Sequence, residues 1–233
     1  MKSSIIRLPL FIICLIASSS CFAQSFHFGP KGGMGINLQQ WNNFERDPLF
    51  TPFGDFFIES YTEGSNSSLY AQIGYHTRGS AIRLFSFNGP SFNNSFKFNN
   101  AVLTAAAKRF ISNKKSARPY YLIGIRAEYT LSTNLSDFEE RQSLFYPIEF
   151  YVNKFNYGFT VGGGYDFPLG DLYGGFIEFT VNPDVSLQYE QPPIPNVISP
   201  FTGQPVTISE RRIRNISLEV TFGMRFLRKV EYY

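Results

Sequence analysis

Acid–base or nucleophilic chemistry would have few groups to draw on in this chain of 233 residues, which has two histidines, His27 and His76, and two cysteines, Cys14 and Cys21. A nucleophile needs a base held beside it, and neither histidine lies in a motif that supplies both. Asp137, Glu139 and Glu140 stand close together in "DFEER". Paired carboxylates can act as acid and base, but a short charge run is more often a solvated face. The run also lacks the ligand spacing of a calcium loop, and no Cys/His cluster suggests a transition metal. "GPKGGMG" (29–35) and "VGGGYD" (161–166) have neither the phosphate-loop spacing nor the dinucleotide fingerprint. No catalytic residue, cofactor site or metal site is expected, and the chain reads as a non-enzyme.

A second set of charges is arranged differently. Lys31, Arg83, Arg126, Glu128, Asp166, Glu178, Glu219 and Arg225 each sit in a segment where apolar residues recur at every second position. In "NISLEVTFGMRF" (215–226), Ile216, Leu218, Val220, Phe222, Met224 and Phe226 alternate with Ser217, Glu219, Thr221, Gly223 and Arg225. Period-two alternation of this length marks a strand with one apolar face. The same pattern appears over 68–77, 120–131, 156–167 and 173–182, and more weakly over 28–39, 81–87 and 98–110. The facing of 98–110 is left open by the pattern, since its alanines suit either side.

These segments make eight strands. Their connections alternate between short stretches (77–80, 111–119, 168–171) and longer ones (40–66, 88–97, 132–153, 186–213). A soluble sandwich has no reason to sort its connections by side, whereas a membrane barrel has short periplasmic turns and long external loops. The expected fold is all-β: an eight-stranded antiparallel up-and-down transmembrane β-barrel, with its apolar rows facing lipid and its charges facing a lumen. Tyr75, Tyr121, Tyr165, Phe167, Tyr173 and Phe226 are assigned to the turn-side end of their strands, and Tyr129, Phe155 and Tyr157 to the loop side. Two aromatic belts at the two interfaces result. A soluble barrel with core aromatics is the competing reading.

Residues 1–23 carry Lys2 and Arg7, an apolar run "LPLFIICLIA" and a small-residue site ending at Ala23, which is the pattern of a cleaved signal peptide. A lipidated Cys21 is the alternative, opposed by the serines that precede it. Residues 24–233 form the barrel domain. Cleavage removes both cysteines and takes the 21 basic residues to 19 against 18 acidic ones, so no basic character points to nucleic acid. The expected location is the outer membrane of a Gram-negative bacterium.

An eight-stranded barrel is just wide enough for side chains to fill it. The lumen charges must then pair, as a structural plug or as an ion path or gate, and the plug is the favoured reading. Both histidines are placed at the periplasmic end, away from any outer-leaflet substrate. Lumen glycines (Gly74, Gly124, Gly162, Gly164, Gly223) are read as room for neighbours such as Tyr70 and Arg126. The external loops are aromatic and Pro-rich. They either form a contact surface through Trp41, Phe44, Phe56, Phe57, Phe145, Tyr146 and Phe201, or fold on one another as a cap. The expected partners are outer-membrane lipid and, through the loops, another envelope protein or a glycan. The expected role is binding, anchoring or envelope assembly. A lipid-modifying enzyme and a small-solute channel are the competing classes.

"FHFGPKGGMGINL", "RPYYLIGIRAEYTLS", "FNYGFTVGGGYDFPLGD" and "ISLEVTFGMRF" together resemble the PorT-like outer-membrane β-barrel family of Bacteroidota. The resemblance covers most of the chain after residue 23. It implies a small eight-stranded barrel and, for one branch of that family, a place in a protein-secretion machinery. The chain departs from the common barrel ending by continuing past Phe226 as "LRKVEYY".

Overall fold

The computed structural model describes residues 25–42, 46–84, 92–111, 117–139, 147–199 and 202–230, with the backbone alone at 82–84, 92–93 and 139. The expected signal peptide lies outside the described residues. Period-two alternation becomes strand throughout: β1 Phe26–Trp41, β2 Leu49–Ser60, β3 Ser67–Leu84, β4 Phe92–Phe110, β5 Arg118–Thr133, β6 Phe155–Pro168, β7 Tyr173–Pro183, three short strands β8 Tyr189–Gln191, β9 Ile194–Ile198 and β10 Pro205–Ile208, and β11 Arg211–Arg228. β1 to β7 and β11 pair in sequence order, each antiparallel to the next, and β1 closes the ring against β11. Closure leaves no edge, and every barrel strand finds its backbone partners within the ring.

The barrel has the expected eight strands, but their boundaries differ in two places. The clear segment 68–77 and the described part, 81–84, of the weaker segment 81–87 belong to one long strand, β3, and "TRGS" continues it without a turn. The missing strand is β2, which lies inside what reads as the external loop 40–66. Its period-two signal is hidden because Phe53 and Phe57 face inward while Phe50 and Phe56 face outward, so both faces look apolar. The connection 42–48 is therefore short, and the external excursions are longest at 134–154 and 184–210. The open question at 98–110 is settled by burial: Phe98, Asn100, Val102, Thr104, Ala106 and Lys108 face in, and Leu103 faces out.

The outward face is a continuous apolar belt. Met34, Phe56, Leu69, Ile73, Leu103, Ile123, Ile125, Phe159, Val161, Phe179 and Phe222 are all exposed. Around it, Tyr121, Tyr165, Tyr173 and Phe226 lie toward the short-turn end, and Tyr129, Phe155 and Tyr157 toward the other, matching their assigned ends. Tyr75 departs from its assignment. It pairs with Gly54 and Ala101 in mid-strand, because β3 runs on past residue 77. Among the described residues no helix is long and apolar enough to cross a membrane. Spanning strands need ~9–11 residues. β3, β4 and β11 have 18, 19 and 18, so their loop-side ends stand above the belt.

Candidate functional site

The lumen is built in layers, because consecutive inward positions on one strand lie two residues apart. At the short-turn rim, Asp166 accepts hydrogen bonds from Arg118 and, at 2.5 Å, from Arg225 Nε. Arg225 Nη1 also lies 2.7 Å from His27 Nε2. Above this rim is an apolar floor of Phe57, Tyr70, Ala106, Tyr120, Leu122 and Phe176, with Phe110 packed against it. Phe57 stacks on Tyr70 and meets Phe176 edge-on at 5.3 Å. Two ion pairs are set into the floor: Lys108 donates to Glu59 at 2.9 Å, and Lys31 to Glu178 at 2.7 Å. The Tyr120 hydroxyl donates to the second Glu178 oxygen.

The middle layer is ionic. Arg78 donates from Nη2 to Glu128 and from Nη1 to Glu219, both at 2.7 Å. Its guanidinium is 1% exposed, so this fork of charge-assisted bonds is entirely shut off from water. Glu128 also accepts from Asn100 at 2.6 Å and has Arg126 Nε 2.8 Å away. Arg126 reaches on to Asp184. The His76 ring spans two carboxylates, Asp55 at 2.7 Å and Glu219 at 3.0 Å, and stacks on Phe53 with centroids 4.5 Å apart. Only a ring protonated at both nitrogens donates to both partners. The space left among His76, Arg78, Arg126, Glu178 and Glu219 is about 10 Å³, enough for one water at most. Glycines keep the layers packed. A Cβ on Gly74 would strike the Asp55 carboxylate, and one on Gly223 would strike the Phe176 ring. The space goes to these neighbours and not to Tyr70 and Arg126.

Above the ion pairs is an amide layer. Gln39 donates to Asn215 at 2.9 Å, and Asn215 donates to Asp184 and to Gln188, each at 3.0 Å. The external mouth is then covered by a lid of Phe96, Phe98, Leu135 and Phe138, with Trp41 and Val152 against it. Phe138 comes from the helical turn Ser136–Glu139, so the "DFEER" segment contributes its aromatic to the lid. Tyr189 ties the loop over 147–152 to the β8 edge: its hydroxyl accepts from the Ile148 N–H at 3.0 Å and donates to Gln191 at 2.7 Å. Tyr189 stands above the belt, and burial pushes its phenol above the usual value.

Seven of the eight charges singled out in the sequence face this interior: Lys31, Arg126, Glu128, Asp166, Glu178, Glu219 and Arg225. The Arg83 side chain lies outside the described residues. Asp55, Glu59, His76, Arg78, Lys108, Arg118 and Asp184 are additional members. Arg78 was hidden in a supposed turn, and Asp55 and Glu59 in a supposed loop. Parity was the available signal: Arg78 and His76 share the even face of β3 with Gln72 and Tyr70. His76 is thus a mid-lumen residue and not a turn-side one. His27 lies within β1, at the rim.

The expected loop surface is redistributed. Phe56 faces out on the belt, Phe57 belongs to the lumen floor, and Trp41 packs under the lid with Arg46 3.9 Å over its ring. Phe44, Phe145, Tyr146 and Phe201 lie outside the described residues. The described loop segments fold partly on one another as a cap. They still leave Phe150 85% exposed, and Ile198 and Val206 exposed on the β9–β10 hairpin.

No protein-family model matches the chain, and no curated protein matches it. Among solved structures, Neisserial surface protein A is 9% identical, with a TM-score of 0.49 over 86% of this chain and 96% of that one. The attachment invasion locus protein Ail of Yersinia pestis, in complex with the heparin analogue sucrose octasulfate, is 11% identical, with a TM-score of 0.42 over 86% and 99%. The Escherichia coli outer membrane protein W is 13% identical, with a TM-score of 0.38 over 88% and 98%. These are likenesses of fold.

Proposed function

We propose that this chain is an integral outer-membrane protein of a Gram-negative bacterium, exported by a cleaved signal peptide, with a closed lumen and a working surface in its external loops. Its role is binding, anchoring or envelope assembly, consistent with its resemblance to PorT-like barrels. One observation carries the reading. The same eight strands turn apolar residues outward and fill their interior with paired charges. In water the outward belt would be a large exposed apolar patch. In lipid it is the favoured surface, and the polar face belongs inside.

The filled lumen speaks against a solute channel. Enzyme chemistry finds no support at His76, which is enclosed by Asp55, Glu219 and Phe53, and whose two ring nitrogens both face carboxylates. What remains accessible is the external surface with Phe150, Ile198 and Val206.

The test is membrane fractionation with heat-modifiable migration on gels, followed by affinity capture from detergent-solubilised outer membranes. The expected result is recovery in the outer membrane, no stable conductance in planar bilayers, and an envelope partner lost on shortening the β9–β10 hairpin. Val220→Arg should lower the folded fraction in lipid vesicles, since an outward Arg near the midplane costs ~2–4 kcal/mol. Recovery in the soluble periplasm, or an undiminished folded fraction for Val220→Arg, would overturn the membrane placement. Reproducible channels from pure protein would overturn the closed lumen.

A further inference from the structure

The outward belt is not uniform. On β6, β7 and β11 it carries Phe159, Val161, Phe179, Val220 and Phe222, whereas on β3 and β4 its outward positions include Ala71, Ala101, Ala105 and Ala107. Here the wall dips into a groove of about 760 Å³. Ile123 and Ile125 of β5 bound it on one side, and Ile58 of β2 and Phe26 of β1 on the other, with Ala71, Ala105 and Ala107 as its base and Leu69 standing beside Ala107. It crosses from β1 to β5, roughly 20 Å at the ~4.8 Å strand spacing. Its polarity is graded. Ser25, Ser60 and Arg228 line it at the short-turn rim, and beyond them the outward lining is apolar. Arg228 lies over the Phe26 ring. Arg109 is exposed at the foot of β4, two positions below Ala107 on the same face.

We infer that this groove holds one glycerophospholipid of the periplasmic leaflet, with an acyl chain along Ala71, Ala105 and Ala107 and its phosphate at Arg228. The graded lining matches an amphipathic ligand: a cation and hydroxyls at the membrane interface, and hydrocarbon surface above. Along the strands the lining covers two outward positions, Ala105 and Ala107 on β4 and Ile123 and Ile125 on β5, about 7 Å at ~3.4 Å per residue. It therefore seats the part of an acyl chain nearest the headgroup, the whole chain reaching about 15 Å, half of the hydrocarbon core. An arginine at such a rim pairs well with phosphate. A second copy of this chain is the poorer occupant. Near this rim the described residues offer aromatic rings and the arginines Arg109 and Arg228 against one exposed carboxylate, Glu63 in the β2–β3 turn, so two such rims would bring an excess of positive charge together.

The inference rests on the membrane placement proposed above, and its test separates the two. Protein refolded in a non-ionic detergent is titrated with phosphatidylglycerol and examined by native mass spectrometry. Wild type should retain one phospholipid through delipidating washes. Ala105→Leu and Ala71→Leu, which fill the groove with apolar side chains suited to a lipid-facing wall, should lose it while keeping heat-modifiable migration and vesicle insertion. Arg228→Gln should weaken retention roughly tenfold, the scale of one charge-assisted hydrogen bond. Equal retention by wild type and the filled-groove variants would overturn the site, as would no retained lipid. A dimer mass abolished by Ala105→Leu would assign the groove to a second copy instead. Failure of wild type to enter vesicles would instead refute the membrane placement.

Discussion

At mid-height the lumen is filled by ion pairs whose members come almost entirely from barrel strands, whereas its outer mouth is covered by an apolar lid, Phe96 and Phe98 from β4 and Leu135 and Phe138 from the segment after β5, with Trp41 of β1 against it. The two closures differ in what opening would cost. Pulling Glu219 away from Arg78 and His76 leaves its buried carboxylate without a cationic partner, a penalty of several kcal/mol. Lifting Phe138 off Phe96 exposes apolar area to water but leaves no charge unpaired. The ionic layer is therefore fixed to the barrel and opens only with it. The lid can move as a local unit while the barrel stays closed, so a response to an external partner belongs in the lid.

The largest test of this contrast is Arg78→Ala. It removes three of the hydrogen bonds to Glu128 and one to Glu219 and leaves both carboxylates buried. The expected cost is about 3–5 kcal/mol of barrel stability, read as a lower urea midpoint for loss of heat-modifiable migration. Arg78→Met, which fills the space but leaves Glu128 to Arg126 and Asn100, and Glu219 to His76, should recover little of it. Unchanged barrel stability in both variants would mean that the ionic layer does not hold the barrel together.

The contrast was unevenly legible in the sequence. The barrel and its outward belt follow from period-two alternation, and seven inward charges follow from the same parity. Alternation fails where both faces carry aromatics, as in β2, and so it hid Asp55 and Glu59. It is also easily broken by a "TRGS" that looks like a turn, which hid Arg78. That the strand count came out right reflects two compensating differences, one strand split and one missed. The lid was harder to foresee for another reason. Phe98 begins the segment whose facing the pattern left open, Phe96 falls in what reads as the loop 88–97, and Phe138 meets them only because the chain after β5 folds back over the mouth. Long-range closure of that kind has no local period.

Phe138→Ala should have a smaller effect, confined to the mouth. Burying a Phe contributes about 1.5–3 kcal/mol, and here that energy holds the helical turn Ser136–Glu139 against Phe96 and Leu135. The expected outcome is faster protease cleavage in the segment 134–154 with an unchanged barrel midpoint. Conductance should stay absent, because the ionic layer lies beneath. Channels in Phe138→Ala would show that the lid, and not the charges, seals the barrel. A barrel midpoint lowered as far as in Arg78→Ala would dissolve the distinction between the two closures.

Tyr189→Phe tests the finest part of the comparison, the latch between the lid-side loop and the strand extension. Wild-type Tyr189 accepts from the Ile148 N–H and donates to Gln191. Losing the pair should weaken the latch by about 1 kcal/mol, visible as roughly fivefold faster amide exchange at Ile148 with the barrel amides unchanged. The pH dependence carries a sign. Burial raises the phenol's pKa above its unfolded value, so the folded latch prefers the neutral form. Its stabilisation is fully present below the ordinary phenol pKa of about 10 and falls as pH rises through the higher folded value. Exchange at Ile148, corrected for the intrinsic pH dependence, should therefore accelerate above about pH 10 in wild type. In Tyr189→Phe it should start faster and lose that alkaline step. An alkaline step of equal size in both proteins would place the titrating group elsewhere. Equal exchange at neutral pH would show that the Tyr189 hydrogen bonds do not hold the loop, leaving the aromatic lid alone to close the mouth.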